Sequence, residues 1–109
     1  MSATTAAQVK LVIPPEVWIF SRERQIDQYL DRVVALLHRI FADARRLSVE
    51  IHDDPEIADL RSLLFDVEVP WPSFAQAQEA YRAWHDGLFA TIPLQHLCDI
   101  ALIIHRVDE

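Results

Sequence analysis

The stretch VKLVIPPEVWIF, residues 9–20, decides how the rest of the chain is read. Val9, Leu11 and Ile13 alternate with other residues, two prolines interrupt, and Val17–Phe20 is an unbroken apolar run. A short apolar run has no period of its own, so flanking signals must assign it. Pro14 and Pro15 remove two backbone donors, which restricts 10–15 to an irregular arm or a bulged edge. Ser21 then resembles the N-cap of a following helix, with Glu23 in its first turn. On this reading residues 16–20 form a first β-strand.

Beyond Ser21 the pattern changes to the helical period. Ile26, Leu30, Val33, Leu37, Ile40, Phe41 and Ala44 share one stripe, which predicts a helix from Arg22 to about Arg45. Leu47, Val49 and Ile51 alternate with Ser48, Glu50 and His52, the mark of a half-buried strand. Asp53-Asp54-Pro55-Glu56 breaks it with turn and capping chemistry. A second alternating run, SLLFDVEV at 62–69, puts Leu63, Phe65, Val67 and Val69 on one face. Pro70 and Pro72 end it, Ser73 with Gln76 has capping-box spacing, and a helix follows over about Phe74–Thr91. Pro93 closes that helix. A last strand is predicted in LCDIALIIHRVD, with Cys98, Ile100, Leu102 and Ile104 on its inner face.

The predicted order is strand, helix, strand, strand, helix, strand. It implies an α+β fold, a ferredoxin-like βαββαβ sandwich. Its four-stranded, mostly antiparallel sheet, in the order 4-1-3-2, carries two helices on one face. The resemblance is one of topology, and that topology hosts unrelated functions. Residues 1–8 are expected to be a disordered tail and 9–109 a single domain, as suits a chain of 109 residues.

Composition narrows function by exclusion. There is one glycine, Gly87, so glycine-rich phosphate loops are out. Seventeen acids against ten Lys and Arg leave a net charge of -7, contrary to the basic footprint of a nucleic-acid binder. Cys98 is the only cysteine, which fits a reducing, cytoplasmic setting. No signal-peptide pattern and no membrane span is read in the sequence. No cofactor and no metal centre are predicted.

The predicted sheet has one uncovered face. It carries Ser48, Glu50 and His52, then Leu64, Asp66 and Glu68, then Asp99, Ala101, Ile103 and His105. Trp18 with Phe20, or Val17 with Ile19, would join them. Trp18, Phe20, Leu64, Ile103 and the proline-flanked Trp71 are therefore the expected interface residues, because a contiguous apolar patch needs a cover. A homodimer through this face or through an edge strand is the natural solution, and a second, basic protein steered by the acidic charge is another.

The rival reading is an enzyme or ligand-binding protein whose pocket lies between the open face and a partner subunit. Glu50, His52, Asp66, Glu68 and His105 would be its polar groups, and His85, placed near the apolar stripe of its helix, a further candidate. Cross-strand neighbours can approach closely enough to hold a divalent ion. Alternating polar residues are also what a solvated sheet face shows. No catalytic constellation is present in the sequence, so the enzyme question stays open at this level.

Overall fold

The computed structural model describes residues 10–57 and 60–106. The expected disordered tail lies outside the described residues. The decisive stretch is helical: α1 spans Pro15–Glu23. Pro15 occupies the first helical position, where its fixed φ suits the helix and its missing N–H costs nothing. The proline pair therefore starts a helix instead of interrupting a strand. Val17, Phe20 and Ser21 face inward at helical spacing. Ser21 is not a cap; its hydroxyl is buried and donates to the carbonyl of Val17 at 2.7 Å.

The helix expected over 22–45 is consequently two helices. α1 ends at Arg24 in a Schellman turn. Ile26 N–H donates to Ser21 O at 2.8 Å and Gln25 N–H to Arg22 O at 3.1 Å. Gln25 holds φ 61°, the left-handed region where glycine is preferred. The second helix, α2, runs Asp27–Ile40 and buries Leu30, Val33, Leu36 and Leu37.

β1 (Arg46–Asp53) and β2 (Arg61–Val69) follow their alternation and pair antiparallel. Between them Asp54 Oδ1 accepts from the N–H groups of Glu56 and Ile57, so this is a capped turn. α3 spans Phe74–Thr91, with Ser73 Oγ accepting from Ala75 N–H. A 3-10 turn, Leu94–Asp99, leads to β3 (Ile100–Arg106). Cys98 therefore sits exposed on the turn and not on a buried strand face. Asp99 is not on the open face either; it is buried, with Arg24 Nη1 at 3.3 Å and His96 Nδ1 at 3.2 Å.

The sheet has three strands in the order β1-β2-β3. This corrects the four-stranded ferredoxin-like arrangement: the fold is α+β with a mixed sheet, and the described residues form three α-helices and one 3-10 turn around it. The expected first strand would have separated the last strand from the strand at 61–69. With 15–23 helical, β3 docks directly on β2, in parallel across the α3 crossover. Hydrophobic burial dominates the stabilisation. Val17, Phe20, Leu30, Leu37, Phe65 and Trp84 from the helices and sheet share one core. Gly87 allows close approach of α2 and α3, since a Cβ there would stand 2.5 Å from Leu36 Cδ1.

Candidate functional site

The parallel β2–β3 register brings distant residues together. Leu64 lies beside Ala101, Asp66 beside Ile103 and Glu68 beside His105. Across β1, Ser48 faces Asp66 and Arg46 faces Glu68. These side chains occupy the sheet face opposite the helices. Arg46, Ser48, Asp66, Glu68 and His105 line a shallow depression of about 190 Å³. His105 Nε2 lies 2.9 Å from Asp66 Oδ1, and Arg46 Nη1 lies 3.6 Å from Glu68 Oε2. Both pairs are solvent-facing, where such contacts contribute about 0–1 kcal/mol.

Of the candidate polar residues, the structure assembles Asp66, Glu68 and His105. Glu50 faces Leu64, at the rim of the apolar strip, and His52 faces Ser62, beyond it, so neither reaches the depression. His85 is exposed on α3 and stacks on Tyr81 with centroids 6.2 Å apart. The inward position belongs to Trp84, which is 1% exposed and meets Phe65 edge-on. Among the described residues no group of three or more His, Cys, Asp or Glu could hold a metal ion. The carboxylates at the depression already face a guanidinium and an imidazole. Arg46 was missed from the sequence, although extending the alternation two residues back from Ser48 places it on this face.

The expected interface residues separate into three environments. Leu64 and Ile103 lie on the open face next to Ala101, and Ile103 keeps 39% of its surface exposed. Trp18 and Phe20 are not there, because their segment is helical: Trp18 packs half-buried against the core and Phe20 is inside it. The Phe20 ring carries the guanidinium carbons of Arg24 and Arg61 at 4.9 and 5.5 Å from its centroid. Trp71 stacks on Phe41 at 5.8 Å and donates its Nε1–H to Asp43 Oδ2 at 2.7 Å, tying the end of α2 to the start of α3.

The two sheet edges differ. On β3, the Tyr81 hydroxyl donates to Leu102 O and accepts from Ile104 N–H, both at 3.2 Å. A side chain thus fills the place a neighbouring strand would take. On β1, no backbone or side-chain partner meets the outer edge among the described residues.

No family model, no curated protein and no solved structure matches this chain. What stands is a small α+β domain with a sheet face that no helix or strand among the described residues covers. No helix among the described residues is long and apolar enough to cross a membrane.

Proposed function

We propose that this domain works through protein contacts and self-associates through its sheet. The observation that carries this is the sheet itself: helices protect one face, while Leu64, Ala101 and Ile103 form a strip on the other, and among the described residues no strand is hydrogen-bonded to the outer edge of β1. An apolar strip rimmed by charges of both signs, here Arg46 with Glu50, Asp66 and Glu68, suits a second copy of itself. The test is absolute mass by light scattering over a concentration series. A species near twice 12.6 kDa is expected. A monomer at every concentration would remove the proposal.

The depression favours a second reading, a small polar ligand held by His105, Asp66 and Arg46. Its volume, about 190 Å³, falls below the roughly 300–1,000 Å³ of ordinary ligand pockets, so the protein-contact reading is preferred. A panel of amino acids, dicarboxylates and nucleotides that leaves the melting temperature unchanged would count against the ligand reading.

A further inference from the structure

The register of β1 specifies how two copies would meet. Asp54 N–H donates to Leu60 O at 2.9 Å, one step beyond the Asp53↔Arg61 pair. Hydrogen-bonded pairs alternate along an antiparallel ladder, so His52, Glu50, Ser48 and Arg46 direct their backbone groups to β2. Leu47, Val49 and Ile51 therefore direct theirs outward, to an edge with no partner among the described residues. β1 contains no proline to interrupt pairing. The other edge is occupied at mid-strand by the Tyr81 hydroxyl.

We infer that β1 is the docking edge for β1 of a second copy, paired antiparallel about a two-fold axis at Ser48. The self-association proposed above is the premise. The register follows from charge. With the axis at Ser48, Arg46 faces the partner's Glu50 twice, while Leu47 faces the partner's Val49 on the helix side. With the axis at Glu50, two carboxylates face each other. With the axis at Val49, Arg46 faces the partner's His52 and Glu50 faces only a serine. Of the three, only the first pairs opposite charges between residues that both lie within Arg46–Asp53, and among the described residues Glu50 has no ion-pair partner in its own chain. Opposite charges directly across a ladder stabilise it and like charges destabilise it. The outward groups of Leu47 and Val49 then exchange hydrogen bonds with those of the partner strand. The product is a continuous six-stranded sheet, a case of strand addition.

Ser48 would face its own copy in a non-hydrogen-bonded pair, where Cα atoms stand about 4.5 Å apart. That lies within the roughly 4.4–6.8 Å span of a disulfide. Sheets stacked face to face lie about 10 Å apart, too far to be bridged. Residue 50 would lie about 13 Å from its own copy, four residues at roughly 3.3 Å each. The test is Ser48→Cys against Glu50→Cys, both in a Cys98→Ser chain because Cys98 is exposed. Under mild oxidation S48C should run mostly as a covalent dimer and E50C as a monomer.

Charge reversal gives an independent readout. Arg46→Glu alone and Glu50→Arg alone should each raise the dissociation constant at least tenfold, and an equimolar mixture of the two variants should dimerise again. A C98S chain that is dimeric by mass, without cross-linking at S48C, would overturn the edge pairing and leave the self-association reading standing. A C98S chain that is monomeric throughout would overturn both. Cross-linking at E50C instead of S48C would refute the register.

Discussion

Removing the Tyr81 hydroxyl tests the asymmetry between the two sheet edges. Tyr81→Phe keeps the ring, its packing and its stacking partner His85, and deletes one oxygen. That oxygen makes two hydrogen bonds of 3.2 Å to the β3 backbone, one as donor and one as acceptor. A hydrogen bond contributes about 0.5–1.5 kcal/mol net, and a polar group left unsatisfied costs about 1–3 kcal/mol when buried. Tyr81 is half-buried and β3 lies at an edge, so water can recover part of the loss. The expected destabilisation is about 1–2 kcal/mol by urea denaturation, or roughly 4–8 °C in melting temperature at the lower end of that range. Amide exchange at Ile104 should accelerate by about 5- to 30-fold, the factor equivalent to 1–2 kcal/mol. Leu63, whose backbone lies inside the sheet, is the internal reference. If stability falls by less than about 0.3 kcal/mol and Ile104 exchange is unchanged, the hydroxyl does not occupy the edge as argued.

Two further substitutions probe the end of α1 and its fastening to the 3-10 turn. Gln25→Gly should stabilise the domain by about 0.5–1 kcal/mol in the same assay, because φ 61° strains any side-chain-bearing residue and glycine adopts it freely; a loss of stability would show that the glutamine side chain contributes more than the strain costs. Asp99→Ala should cost about 1–3 kcal/mol, less than a fully buried pair, since the Arg24 side chain is 36% exposed and can rehydrate. An unchanged denaturation midpoint for that variant would mean that the Arg24–Asp99–His96 cluster does not fasten α1 to the 3-10 turn.

How much of this was legible depends on the range over which each signal acts. The stripe of Leu30, Val33 and Leu37 and the alternation of Leu63, Phe65, Val67 and Val69 repeat over several periods; the strand is present as read, and the stripe is helical but confined to Asp27–Ile40. The open-face residues Ser48, Leu64, Asp66, Glu68, Ile103 and His105 follow from the same alternation. Val17–Phe20 is too short to show a period, and Pro14-Pro15 serves a strand interruption and a helix start equally well. Reading it as a strand inserted a fourth member into the sheet and put Trp18 and Phe20 on the wrong layer. The break at Gln25 was hidden because Ile26 and Leu30 continue an apolar stripe across it.

The sequence by itself determined which residues turn inward on α2, β1 and β2, since periodic burial is local and is written in consecutive side chains. Only the tertiary structure decided that β3 pairs with β2, which sets His105 beside Asp66 thirty-nine positions away. The same holds for Tyr81, which reaches the β3 backbone from α3. Strand pairing and edge protection join segments far apart in the chain, and the core that forms once α1 is helical selects between pairings that local patterning leaves equal.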